Sequence, residues 1–179
     1  YMNNKDKAFI TGILVFIIFI LFILVSGKHF QASAQSVKQP IEFNHKKHLQ
    51  DVGLECQNCH TLVLTYYRAS IPNIEVCSMC HDEGGDGQNA SNPKTQKVLE
   101  YIKKGEAIPW QKVYQMPDHV YFSHQRHVVM GRIECVTCHG KIDQTTLPIT
   151  TAAVKHTMDS CMNCHKKSGV SNDCVACHK

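Results

Sequence analysis

Phe122-Ser123-His124-Gln125-Arg126-His127-Val128, followed by Cys135-Val136-Thr137-Cys138-His139, is the stretch that decides the fold. The same text stands earlier in the chain, where Phe43-Asn44-His45-Lys46-Lys47-His48-Leu49 precedes Cys56-Gln57-Asn58-Cys59-His60. Histidines at i and i+3 share one face of a helical turn. Each pair therefore offers two imidazoles side by side, able to reach two metal centres stacked close together. Beyond these two segments, C-x-x-C-H recurs at Cys77-Ser78-Met79-Cys80-His81, Cys161-Met162-Asn163-Cys164-His165 and Cys174-Val175-Ala176-Cys177-His178. All ten cysteines of the 179-residue chain fall inside these five motifs.

C-x-x-C-H is the attachment motif of c-type haem. Two thiols bond to the porphyrin vinyl groups, and the next residue sets an imidazole on the iron. The competing readings leave the trailing histidines unexplained. Zinc sites pair C-x-x-C groups but do not require a histidine after each one. A thioredoxin-like motif would occur once, within a βαβ pattern. A disulfide framework suits an even cysteine count in an exported protein, yet gives no reason for five histidines in register. The sequence therefore predicts five covalently bound haem c groups. Cys56, Cys59, Cys77, Cys80, Cys135, Cys138, Cys161, Cys164, Cys174 and Cys177 attach them, and His60, His81, His139, His165 and His178 are the proximal iron ligands.

Twelve histidines less these five leave His29, His45, His48, His119, His124, His127 and His156. His45, His48, His124 and His127, in the duplicated pairs, are the natural second ligands. His29 reads as an interfacial residue; His119 and Met116 are weaker ligand candidates, each equally readable as a packing or surface residue.

From Phe122 to Lys179 the chain resembles the class III multihaem cytochromes c, especially their small trihaem members: Phe-x-His-x-x-His, three C-x-x-C-H motifs, then a terminal lysine. The resemblance implies that His124 serves the haem of His139 and His127 that of His165. By repetition, His45 serves the haem of His60 and His48 that of His81. For the haem of His178 the family uses a histidine four residues before a motif, where this chain has Thr157. Its neighbours His156 and Met158 are the alternatives; methionine would raise the potential relative to two histidines. The stretch from Gly105 to Val128, with Ile108-Pro109-Trp110 and Pro117-Asp118-His119-Val120-Tyr121-Phe122, is also similar to the pentahaem cytochrome c subunit of alternative complex III. That resemblance favours Met158. It implies partners in a membrane quinol-oxidising complex: an iron–sulfur subunit, polytopic membrane subunits and a monohaem cytochrome c. Subunits of menaquinone reductase complexes share part of the pattern.

The apolar content is unevenly spread. Ala8 to Gly27 is almost wholly apolar and carries no charge; at about 1.5 Å rise per residue such a run spans about 30 Å, the hydrocarbon thickness of a bilayer. Ala32-Ser33-Ala34 resembles a signal cleavage site, but signal cores are shorter, about 7–15 residues. An uncleaved, single-pass anchor in membrane lipid is expected, with the remainder on the periplasmic side of the inner membrane, where haem is attached. Mean hydropathy is nevertheless −0.23, so the rest of the chain is hydrophilic. The expected organisation is an anchor (1–27), a linker (28–40), a two-haem module (41–86), a connector (87–120) and a three-haem module (121–179). In the connector, Asn92 reads as an N-cap, Pro93 as the first turn and Gly105 as the stop, with Val98, Leu99 and Ile102 on one face. The expected fold class is mainly helical and irregular, with haem supplying much of the core of a class III-like domain, plus one transmembrane helix.

Net charge is +4, too modest and too scattered for nucleic acid. Lysines 46, 47, 166, 167 and 179 lie beside the motifs and could steer an acidic redox partner. Two ligands on every iron leave no open position for a substrate. That argues for electron relay and against a multihaem catalyst, which needs a five-coordinate iron. A stand-alone membrane-anchored quinol dehydrogenase is the other reading.

Overall fold

A computed structural model describes residues 3–29, 36–82 and 91–178. The chain divides into two compact units, Tyr1–Gln35 and Ser36–Lys179.

The first unit holds one helix, α1 (Asn4–His29). The amide of Lys7 donates to Asn3 O at 3.1 Å, and the Thr11 hydroxyl turns back onto Lys7 O at 2.8 Å. Its described apolar side chains, from Phe9 to Ile23, are exposed all round the helix, so α1 has no face reserved for a protein core. Among the described residues no helix is long and apolar enough to cross a membrane. The expected transmembrane segment is thus not supported by the described residues; what they give is an exposed apolar helix.

In the second unit the described helices are short. They are α2 (Cys56–Cys59), α3 (Ile74–Cys77), α4 (Pro93–Lys104), α5 (Cys135–His139), α6 (Met158–Lys167) and α7 (Cys174–Cys177). Three of them, α2, α5 and α7, begin on the first cysteine of a motif. Glu55, Glu134 and Asp173 precede these three in extended backbone, putting an acidic residue where the helix dipole favours one. The described residues contain no strand; one isolated antiparallel bridge joins Val120 to His178. The mainly helical and irregular fold expected from sequence is observed.

α4 follows its sequence signals. The Asn92 side chain accepts from Lys94 N, Pro93 opens the helix, and Gly105 closes it at φ 66°. A left-handed residue at that position is best filled by glycine. Val98 and Ile108 are buried with Ile41, and Ile74, Cys77, Tyr101, Ile102 and Trp110 pack on them. Leu99 departs from the expected core stripe, lining with Ile102, Lys103 and Asp82 an open groove of about 420 Å³.

Asn73 is the polar hub of this small core. Its carbonyl oxygen accepts from Ile74 N at 2.8 Å and Ile108 N at 2.7 Å, and its amide donates to Ile108 O at 3.2 Å. Trp110 Nε1 donates to Pro72 O at 2.9 Å. A second clamp is Gln39, whose amide reaches Gln111 O and Ile149 O, both at 2.9 Å, while its carbonyl accepts from Gln111 N. Residues 37–39, expected from sequence to be linker, are therefore stitched into the second unit; Val37 N donates to Thr150 O as well.

Buried hydrophobic side chains among the described residues are Ile41, Val63, Val98 and Ile108. Leu62, Leu64, Tyr66, Val136, Leu147, Val170 and Val175 are exposed. A domain of about 150 residues ordinarily buries about 70 % of its unfolded surface. This polypeptide alone falls far short, which fits a domain whose interior is filled by large apolar groups attached at the five motifs.

Candidate haem-binding centres

The two H-x-x-H segments fold alike. Each begins as a single α-helical turn and widens into a π turn, at Lys47–Asp51 and Arg126–Met130. The wide turn is closed by Val52 N on Lys47 O at 3.1 Å and by Gly131 N on Arg126 O at 2.9 Å. π turns recur at functional sites because they re-aim side chains within a helix. The preceding phenylalanine orients both imidazoles. Phe43 stacks on His48 (4.5 Å, 22°) and meets His45 edge-on (4.7 Å, 82°). Phe122 stacks on His127 (4.7 Å, 27°) and meets His124 edge-on (4.9 Å, 88°).

Ring nitrogens are assigned by their partners. His48 Nδ1 lies 2.8 Å from Asn44 O and His127 Nδ1 lies 2.7 Å from Ser123 O. His60 Nδ1 is 2.6 Å from Ser70 O, and His165 Nδ1 is 2.8 Å from Ser171 O. A carbonyl can only accept, so Nδ1 carries the proton in each and Nε2 is left as the metal-binding atom. The Thr145 hydroxyl donates to Ile142 O and so accepts from His45 Nδ1 at 3.3 Å. His124 Nδ1 has both Tyr67 O and Ala69 N at 3.2 Å. Donation to Tyr67 O is the state compatible with a metal on Nε2. Burial, then neighbouring histidines, push the imidazoles of His45 and His139 down to about 4. Burial also lowers His124. All three are neutral at pH 7, as metal ligands must be.

A metal–imidazole bond is about 2.0–2.1 Å, so two rings on opposite sides of one metal have centres about 6 Å apart. His124 and His139 are separated by 6.3 Å, His127 and His165 by 6.0 Å, and His48 and His81 by 6.1 Å. His60 is close enough for its charge to be felt at His45. The last motif differs from the sequence expectation. His119, there only a weaker candidate behind Met158 and His156, has its ring 5.6 Å from that of His178 at 15°. His156 has its ring beside Tyr114 (5.5 Å) and His139 (6.2 Å, 80°), and Met158 is 61 % exposed. Tyr114 stands at this site as well. Its ring meets His139 edge-on at 4.7 Å, and its hydroxyl accepts from Ala153 N at 3.0 Å.

All ten cysteines are unbridged thiols, free for thioether formation. Their neighbours order the motifs in space. Cys77 and Cys80 lie near Cys59. Cys56 lies beside Cys135, and Cys138 lies near Cys161 and Cys164. Burial raises Cys77 to about 11, and raises Cys56, Cys59 and Cys138 less. The second motif thus adjoins the first, the first adjoins the third, and the third adjoins the fourth. Asn172 Nδ2 donates to Met162 O at 3.3 Å, holding the fifth beside the fourth. Among the described residues no group of three or more His, Cys, Asp or Glu side chains could hold a bare metal ion. The histidines stand in twos, the number an iron needs when a porphyrin supplies its other four ligands.

Thin core, paired imidazoles with Nε2 free and thiol pairs beside them fit haem c, and comparison with known proteins agrees. Residues 24–107 match the class III cytochrome C family, and residues 120–179 match cytochrome c7 and related cytochromes c. The chain belongs to the class III, cytochrome c7-type multihaem cytochromes c. In particular, it is similar to the multihaem cytochrome c subunit of menaquinone reductase from Nitratidesulfovibrio vulgaris. The two are 34 % identical over 167 residues, covering 79 % of this chain and 77 % of the relative. It is thus a multihaem electron carrier of the kind found as a subunit of a quinone reductase.

Proposed function

We propose that the chain is a pentahaem electron-transfer subunit of a membrane quinone oxidoreductase, carrying electrons between quinol oxidised at the membrane and a periplasmic acceptor. The observation that carries this reading is the set of facing imidazoles at four of the five C-x-x-C-H motifs, with His45 near His60 at the other. Bound there, haem c supplies a one-electron iron couple whose potential is set by its axial ligands. The protein's part is to orient these rings, through backbone carbonyls on Nδ1 of His48, His60, His127 and His165 and the two phenylalanines beside the H-x-x-H pairs. His60, His81, His139, His165 and His178 are assigned as proximal ligands, and His45, His48, His124 and His127 as distal ones. The neighbouring thiols support a single file in the order second, first, third, fourth, fifth motif, so electrons need no protein movement to pass along it. Two histidines available to an iron would leave it no open position for a substrate, which argues for relay and not for substrate turnover.

The exposed apolar stretch of α1 and the uncharged run from Ala8 to Gly27 support an anchor in the inner membrane, with the haem domain on the periplasmic side. The connector's resemblance to alternative complex III and the likeness to a menaquinone reductase subunit both support quinone-linked partners: iron–sulfur, polytopic membrane and monohaem cytochrome subunits. Mild solubilisation, purification by the haem signal and identification of co-purifying chains test this. Recovery with iron–sulfur and polytopic subunits, and haem reduction by added quinol, is expected. A homogeneous lone pentahaem protein that reduces a periplasmic enzyme directly would overturn it.

A further inference from the structure

We infer that His119 is the second axial ligand of the iron attached at Cys174, Cys177 and His178, an assignment that rests on the five-haem reading above. Backbone and ring geometry point to it separately. The chain turns at Pro117, where Val120 N donates to Pro117 O at 2.9 Å. It then lies antiparallel to the end of α7 through the Val120–His178 bridge and the 2.7 Å bond from Tyr121 N to Cys177 O. Residue 119 is thereby held next to Val120, the residue paired with His178, whatever its side chain does. Its imidazole then faces that of His178 at 5.6 Å and 15°, a few tenths of an ångström inside the spacings of the other pairs.

The alternatives are occupied elsewhere. Thr157, where the resemblance places the family histidine, is the N-cap of α6: its hydroxyl accepts from Ser160 N at 3.2 Å, and Ser160 Oγ accepts from Thr157 N at 2.9 Å. His156 lies against Tyr114 and His139. Met158, the first residue of α6, is exposed. Two imidazoles keep this terminal centre at lower potential than a histidine–methionine pair would.

The test uses the full-length holoprotein with its haem count fixed by mass. His119→Ala should keep five haems but convert one to high-spin ferric iron, and on reduction take up one carbon monoxide per chain where the parent takes up none. His119→Met should restore a low-spin centre with the near-infrared band of methionine-ligated iron and raise the potential of one haem only. His156→Ala and Met158→Leu should change neither spin state nor carbon monoxide uptake. The inference is overturned if His119→Ala stays wholly low-spin without uptake, or if uptake appears instead with His156→Ala or Met158→Leu. Should His119→Ala fail to accumulate, His119→Met decides: no methionine–iron band sinks the assignment. A parent protein with fewer than five haems refutes the underlying reading instead, and is recognised before any variant is measured.

Discussion

Phe122 touches two imidazoles proposed to bind different irons, so its removal should loosen two centres at once. It stacks on His127 at 4.7 Å and meets His124 edge-on at 4.9 Å. Aromatic pairs in such geometries contribute about 0.5–1.5 kcal/mol beyond the area they bury. Phe122→Ala should thus weaken the hold on the two rings by about 1–3 kcal/mol in total, an effect of about 5- to 150-fold on ligand detachment. The assay is carbon monoxide uptake by the reduced protein, with the detached fraction read from spin state at each applied potential. Uptake should rise at the haems of His139 and His165 and stay at the parent level at those of His60 and His81. Phe43→Ala should show the mirror image, because its contacts are 4.5 and 4.7 Å. Phe122→Leu, which keeps bulk but not the ring, should lie between parent and alanine variant. Equal uptake at all centres would mean general loosening and would refute the reasoning, as would Phe122→Ala behaving as the parent.

Packing and attachment give further expectations. Asn73→Ala strips the partner from the backbone amide of Ile108, a residue 2 % exposed, and should cost about 1–3 kcal/mol, read as a lower Tm with haem content unchanged. Gly131→Ala would set a Cβ 2.7 Å from the backbone oxygen of His127; a forced shift of the turn should cost about 1–3 kcal/mol and increase carbon monoxide uptake at the haem of His165. Arg132 has φ 51° where the first module has Gly53 at φ 79°, so Arg132→Gly should relieve about 1 kcal/mol of left-handed strain and Gly53→Ala should introduce a similar cost, both visible in denaturant midpoints. Cys77→Ser with Cys80→Ser should remove one haem by mass and leave the other centres spectroscopically intact, since that motif is placed at one end of the file.

What the sequence made legible is what is local. The five motifs, the duplicated Phe-x-His-x-x-His text and the helix from Asn92 to Gly105 are short-range signals, and the structure returns them in place. The π turns were not legible: H-x-x-H predicts a shared helical face, but the kind of turn after it depends on closures such as Gly131 N on Arg126 O. The meeting of Cys56 with Cys135 is a contact between residues far apart in sequence, and nothing in periodicity reports it. His119 ranks below His156 and Met158 in the sequence because the resemblance directs the search for a fifth ligand to residues 156–158, upstream of a motif. The available signals were the Pro117-Asp118 turn and a histidine three residues before Phe122. Leu99 matched the period of α4 yet lines a groove, while Val98 is the residue of α4 buried with Ile41 and Ile108.

Every ligand assignment depends on iron porphyrin being tethered at all five thiol pairs. Intact mass of the denatured holoprotein after treatment with a thiol-alkylating reagent tests that most directly. The prediction is a polypeptide carrying five haems with none of its ten cysteines alkylated; fewer haems, or any cysteine open to the reagent, contradicts it.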